Sequence, residues 1–184
     1  ENHTYHYVFG LEESYGCLAG TYARDKDACV AVMMLCEVAS WYKKQGKTLW
    51  DAMLDMYETY GYFKEGLETI TLKGMDGAEQ IQQMMADARE NLPQTIGDYK
   101  VLAVRDYKTD LRIDMADGSK SPTGLPTSNV LYYELEDHAW CCVRPSGTEP
   151  KIKFYFGVKG ASLADAEDKL EDLTKGMMAL FDRK

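Results

Sequence analysis

The sequence predicts two parts of different class: a short α/β segment at the front, then a two-layer α+β domain built on an antiparallel sheet. Three observations carry this. Residues 28–61 hold two amphipathic helical periods behind a single strand-like run, residues 100–158 hold four runs rich in β-branched and aromatic residues, and helical periods flank those four runs on both sides. With 45% hydrophobic residues in 184, there is apolar material for one or two small cores.

The elements follow in order. Tyr5 to Gly10 reads as a strand with almost nothing before it to pair against. A long helix comes next. Asp27 suits its cap, Gly46 its stop, and Val30, Met33, Met34, Val38 and Trp41 form a stripe expected to be core. Thr48 and Asp51 open a second helix in the manner of a capping box, with Ala52, Leu54, Met56 and Tyr57 along it and Gly61 at its close. A domain boundary is placed there, dividing the chain into 1–61 and 62–184, with Tyr62–Leu67 as hinge and a strand over Thr69–Lys73. Asp76 and Glu79 suit the start of a third helix that buries Ile81, Met84, Met85 and Ala88 and ends before Pro93. Strands are expected near 100–107, 129–135, 138–143 and 151–158. The Asp-, Gly-, Ser- and Pro-rich stretch 108–128 reads as exposed loop or hairpin. Ser162 and Asp165 open the last helix, whose Leu163, Ala166, Leu170, Leu173, Met177 and Leu180 face a sheet.

Composition excludes some functions. A formal net charge of −9 argues against nucleic acid or an anionic membrane as a general partner, while leaving room for one local basic pocket. No apolar run reaches membrane-spanning length and the first residues show no signal peptide, so the chain is expected to be soluble and cytoplasmic. Five cysteines at no metal-type spacing read as reduced thiols, and no metal ligand set is assigned.

The densest chemistry lies in the loop between the last two strands, Arg144-Pro145-Ser146-Gly147-Thr148-Glu149-Pro150-Lys151, with Lys153 just behind it. A guanidinium that can fork onto two oxygens, two hydroxyls, and a glycine that lets backbone N–H groups approach an anion are the parts of a phosphate cradle. Polar Gly- and Pro-containing loops also join strands without binding anything, and both readings stand on loop chemistry alone.

This loop resembles the phosphate-binding loop in the last domain of the α-D-phosphohexomutases, the phosphoglucomutase/phosphomannomutase family. A second stretch, Phe9-Gly10-Leu11-Glu12-Glu13-Ser14-Tyr15-Gly16, resembles the sugar-recognition loop in the third domain of the same enzymes. The resemblance implies that residues 1–61 are the α/β remnant of the third mutase domain. It implies that residues 62–184 are the fourth domain, two-layered and TATA-binding-protein-like.

By the same resemblance, Glu12 and Ser14 hydrogen-bond sugar hydroxyls. Arg144, Ser146, Gly147, Thr148 and Lys153 bind the non-reacting phosphate, with Lys153 standing where many relatives have arginine. Lys26 contacts substrate and is a candidate general acid or base, which requires a depressed pKa. Arg24 is a further candidate contact. Away from the resemblance, a Glu-Glu-Ser turn and an Arg-Asp-Lys-Asp run are ordinary solvated surface. Gly10 and Gly16 fit a loop that must admit a ligand to its backbone. Tyr132 and Tyr133 read as strand packing, and His138 sits in a turn with no role.

The reactive serine and the Asp-rich metal loop of the family are absent from this sequence. The resemblance therefore implies the substrate-binding carboxy-terminal part of a mutase that interconverts hexose 1-phosphate and hexose 6-phosphate. The parent would work through a phosphoserine, Mg2+ and glucose 1,6-bisphosphate, with the upstream domains of the polypeptide as partners, and this chain alone would be inactive. Two rivals remain: a free-standing phosphosugar-binding or regulatory module, and a scaffold that only binds protein.

Overall fold

A computed structural model describes residues 5–12, 15–72 and 76–182. The chain divides into two compact units, 1–59 and 60–184.

In the first unit, β1 (Phe9–Leu11) and β2 (Cys17–Ala19) form an antiparallel hairpin, with Gly10 opposite Leu18. The hydroxyl of Tyr7 donates to the Leu18 carbonyl at 3.1 Å and the Gly20 amide to the Val8 carbonyl at 2.8 Å, fastening the lead-in residues to the hairpin. Two helices follow, α1 (Ala28–Lys43) and α2 (Leu49–Tyr60). Asp27 caps α1 by accepting from the amides of Cys29 and Val30. Thr48 and Asp51 form the reciprocal box at α2: the Asp51 amide donates to Thr48 Oγ1 at 3.1 Å and the Thr48 amide to Asp51 Oδ2 at 2.7 Å.

The expectation that the α1 stripe is core is not met. Met33, Val38 and Trp41 are 55%, 44% and 59% exposed, and neither helix contains a buried residue. The reason is area: two three-residue strands present too little surface within this unit to cover helices of 16 and 12 residues.

The second unit holds the core. The residues expected to form a hinge are instead the first half of a strand, β3 (Tyr62–Thr71), which pairs antiparallel over its full length with the last strand, β10 (Lys151–Gly160). Ten consecutive ladder positions run from Tyr62 to Thr71, and the pairing of Tyr62–Leu67 with β10 is why this stretch extends rather than bends. Between them come α3 (Gly77–Glu90), β4 (Thr95–Ile96), β5 (Tyr99–Asp106), β6 (Leu111–Asp114), β7 (Lys120–Ser121), β8 (Leu131–Leu135) and β9 (Trp140–Pro145). The sheet runs β3-β10-β9-β8-β5-β6-β7, antiparallel throughout, with β4 on the start of β5. A 3₁₀ turn at Glu136–His138 links β8 to β9, and α4 (Leu163–Phe181) closes the chain. Of the two helix caps foreseen here, Ser162 accepts from the Asp165 amide at 3.1 Å, whereas Asp76 makes no side-chain cap bond.

Strand alternation sorts the side chains. One face, carrying Val101, Val104, Tyr133, Val143, Phe154 and Phe156, is buried in one cluster with Ile81 and Met85 of α3 and Leu173 and Met177 of α4. The helix-free face is polar. There Arg105 and Arg112 both pair with Glu134, and the Tyr132 ring stacks on Trp140 at 5.7 Å between centroids. The tyrosines thus serve strand packing, Tyr133 in the core and Tyr132 on the open side.

Candidate functional site

The site residues foreseen in the sequence fall into two groups, one in each unit. In the first, the hairpin turn carries Glu12, whose amide donates to the Gly16 carbonyl at 2.8 Å and whose carbonyl accepts from the Tyr15 amide at 3.2 Å. Tyr15 stands at the turn with φ of 69°. Ser14, with Glu13, lies outside the described residues. Lys26 comes to this turn from the chain after β2: its Nζ is 3.2 Å from Glu12 Oε1 and 2.9 Å from Asp25 Oδ1. Arg24 is exposed and joins no ion pair among the described residues.

Two glycines permit this geometry, for a reason other than ligand access. A Cβ on Gly16 would fall 2.0 Å from Lys26 Cδ, and one on Gly10 would fall 2.4 Å from the Tyr7 hydroxyl. The space beside each backbone is taken by the chain's own side chain. Asp25 is the residue that sequence reasoning missed here. It accepts from both the Lys26 amide, at 2.7 Å, and Nζ, so it holds backbone and side chain together. Its only signal was adjacency to Lys26.

The electrostatics bear on the acid–base role. The hydrogen bond that Lys26 donates to Asp25, then that to Glu12, holds its ammonium above its ordinary pKa. In this arrangement Lys26 is a fixed cation and hydrogen-bond donor, and the depressed pKa that a general base requires does not arise. Nearby, Tyr22 donates to Asp27 Oδ2 at 2.5 Å, a bond that pushes the phenol up to about 12.

In the second unit, Arg144 at the end of β9 and Lys153 near the start of β10 are directly opposed across the ladder. Val143 and Ile152 point into the core, so the pair lies side by side on the helix-free face at the mouth of the connecting loop. The Ser146 amide donates to the Lys151 carbonyl at 2.8 Å, closing that loop. Inside it, the amides of Thr148 and Glu149 converge on Ser146 Oγ at 3.4 and 3.3 Å. Bonds of that length are weak, so the two donors are poorly satisfied and available to an anion. Nothing lies within 4 Å of where a Gly147 Cβ would be. Glu149 is turned to Lys151, 3.0 Å from its Nζ, a pairing that keeps the carboxylate engaged at the loop's far end.

Residues 1–60 match the family model described as phosphoglucomutase/phosphomannomutase, alpha/beta/alpha domain III. Phosphoglucomutase of Staphylococcus aureus strain bovine RF122 / ET3-1 is 39% identical over 163 residues, covering 89% of this chain and 29% of that protein. Phosphoglucomutase of Staphylococcus haemolyticus strain JCSC1435 is 37% identical over 152 residues, 83% of this chain and 28% of the relative. These matches support the phosphoglucomutase/phosphomannomutase family for this chain. It spans under a third of the length of these relatives. One solved structure, the di-domain ARO/CYC protein BexL from the BE-7585A biosynthetic pathway, overlays with a TM-score of only 0.37 at 12% identity over 84% of this chain and 59% of that one.

Among the described residues no group of three or more His, Cys, Asp or Glu is arranged to hold an ion, so no step is assigned to one in this chain. No helix among the described residues is long and apolar enough to cross a membrane. What the chain does carry is the Arg144–Lys153 pair beside the 146–151 loop and the ion-paired Glu12–Lys26 turn.

Proposed function

We propose that this chain is the substrate-binding carboxy-terminal part of a phosphohexomutase that interconverts hexose 1-phosphate and hexose 6-phosphate. The observation that carries the proposal is the Arg144–Lys153 pair at the mouth of a loop whose Thr148 and Glu149 amides converge on a single hydroxyl. A forked guanidinium, an ammonium and two amides together suit a tetrahedral dianion. Arg144 and Lys153 neutralise its charge, Ser146 and Thr148 offer hydroxyls, and Gly147 leaves the approach open. In the first unit Glu12 accepts from a sugar hydroxyl and Ser14 donates or accepts beside it. Lys26 contributes charge rather than a mobile proton. An acid–base role for it requires that bound sugar displace Asp25 and Glu12 from its ammonium, and Arg24 is a peripheral contact.

The proposal extends to the parent protein. Phosphoryl transfer there uses a phosphoserine and Mg2+ with glucose 1,6-bisphosphate as the intermediate, and this chain by itself does not turn over. Residues 1–61 and 62–184 act as parts of the third and fourth mutase domains, the latter TATA-binding-protein-like. The exposed apolar face of α1 supports covering by upstream parts of the same polypeptide.

Titrating the chain with glucose 1,6-bisphosphate by NMR, beside an Arg144→Ala variant, tests this reading. Loss of a forked, charge-assisted contact costs about 1.5–3 kcal/mol, enough to abolish weak binding. Saturable shifts at Arg144–Lys153 that vanish in the variant are expected. Equal shifts in both proteins would overturn the phosphate assignment.

A further inference from the structure

Between the end of α3 and the end of α4, on the helix side of the sheet, lies a cavity of about 330 Å³. The pair Arg144 and Lys153 stands on the opposite face of that sheet. Met84, Ala88, Pro93, Leu180 and Phe181 make the apolar walls of the cavity, and Asp87 and Asn91 stand among them as polar groups. Phe181 is held edge-on by Phe154, with 4.8 Å between ring centroids, so one wall is a ring of fixed orientation. A neighbouring cavity of about 490 Å³ shares Met84, Asp87 and Phe181, which places Asp87 where the two spaces join.

Tyr133 of β8 lines the same cavity from the sheet, although the residue is only 1% exposed. Its hydroxyl makes no hydrogen bond among the described residues, yet it is not sealed off: the one fully enclosed side-chain oxygen or nitrogen without a partner among them belongs to Tyr99. The Tyr133 hydroxyl therefore keeps open surface, and the cavity is the space it opens on. Buried hydroxyls are ordinarily hydrogen-bonded, so a polar end left facing a cavity calls for a partner inside it. Burial pushes this phenol up, so it stays protonated and can both donate and accept.

The exposed side of the cavity carries the charge. Asp87 joins no ion pair among the described residues, and of its two oxygens only Oδ1 is engaged there, by Gln83 Nε2 at 2.7 Å. Arg89, the one basic residue of α3, is turned to Asp106, Asn129 and the Met85 carbonyl. Asn91 spends its Nδ2 on the Asp87 carbonyl, at 3.0 Å, which leaves its side-chain oxygen as a further acceptor. Acceptors at the mouth, flat apolar walls and a hydroxyl at the floor suit an occupant with a cationic N–H group at one end, a ring, and a hydrogen-bonding group at the other. A cavity of about 150 Å³ holds one benzene, so this larger one admits a ring with a short arm. We propose that the cavity binds a small aromatic amine, its ring between Met84, Pro93 and Phe181, its ammonium on Asp87, and a hydroxyl or ring N–H on Tyr133.

The test is an NMR titration of the chain with tyramine, run beside phenethylamine, which lacks the hydroxyl, and para-ethylphenol, which lacks the ammonium. Saturable shifts confined to residues 84–93, Tyr133 and 180–182 are expected with tyramine, and weaker binding of both analogues. Tyr133→Phe removes no hydrogen bond among the described residues, so it is expected to melt no lower than the unaltered chain. It should weaken tyramine by about three- to tenfold and leave phenethylamine within about twofold. Asp87→Asn should weaken both amines by at least about threefold and leave para-ethylphenol unchanged. Absence of saturable shifts at millimolar tyramine would rule out the site, and shifts scattered over the chain would mean non-specific attraction to an acidic protein and do the same. Tyramine affinity unchanged in either variant would reject the assigned contacts. Binding of para-ethylphenol as tight as that of tyramine would overturn the choice of an amine.

Discussion

The aliphatic stem of Lys26 lies directly across Gly16, so close that a Cβ on the glycine would meet Lys26 Cδ at 2.0 Å. The contact delivers the ammonium to Glu12 and Asp25. A glycine of the sugar-loop motif is thereby a positioning device for a cation ten residues further along the chain.

In a Gly16→Ala variant the side chain of Lys26 has to move, because it is the flexible partner in the clash. Little loss of stability is expected, since Lys26, Glu12 and Asp25 are all exposed. The Lys26–Glu12 pairing should be lost, seen by NMR as altered Glu12 and Lys26 side-chain shifts with the rest of the spectrum unchanged. Unaltered shifts would mean that the stem does not occupy this place in solution.

Gly176 gives a sharper test because the usual sign is reversed. Gly→Ala within a helix ordinarily stabilises by about 1 kcal/mol. Here a Cβ would fall 2.1 Å from the backbone nitrogen of Gly97, at the β4–β5 turn against which α4 packs. Backbone cannot swing aside as a lysine can, so Gly176→Ala is expected to cost about 1–3 kcal/mol in denaturant unfolding of the chain. Stabilisation by alanine would contradict the close approach.

Glu134 links two arginines of neighbouring strands, and its carboxyl is held below the ordinary value of 4.5, first by Arg112 and then by Arg105. A carboxyl depressed on folding contributes stability above its unfolded pKa, and that contribution is lost as pH falls toward the folded value. Glu134→Gln should therefore be less stable than the unaltered chain by about 1–2 kcal/mol near neutral pH. The gap should narrow as pH drops below about 4.5. Parallel melts between pH 7 and 3 measure it, and a gap that widened in acid would reject the arrangement.

The thiols separate by environment. Cys29 and Cys36 are exposed, whereas burial raises the Cys141 thiol strongly and moves Cys142 up to about 11. Thiol reagents at pH 8 are expected to modify Cys29 and Cys36 in the native chain, and Cys141 and Cys142 only after denaturant is added. Prompt native labelling of Cys141 would show that β9 is not seated in the core.

Much of the secondary structure in both units was legible in the sequence because its signals are local. The Thr48–Asp51 box and the Ser162 cap are written in residues three apart, and the alternation along β8, β9 and β10 repeats every second residue. The short β2 and β4 were missed, since strands of three and two residues are too short to show a period. Residues 62–67 looked like a hinge because Lys64, Glu65 and Gly66 weaken a strand pattern, and only the partner strand overrides that. The α1 stripe has the period of a buried face, but period reports amphipathicity and not what lies opposite.

At the candidate site, sequence alone determined which residue types gather in which loop: Glu12 in the first, Arg144, Ser146, Gly147 and Thr148 in the second, with Lys153 two positions into the next strand. Tertiary structure decided what those groups are doing. Strand register set Lys153 beside Arg144, and the fold of the hairpin brought Lys26 against Glu12 and Asp25, which raises its pKa where an acid–base role called for the opposite. A pKa and a cross-strand neighbour are both set by groups brought close in space, and a linear order of residues contains no distances.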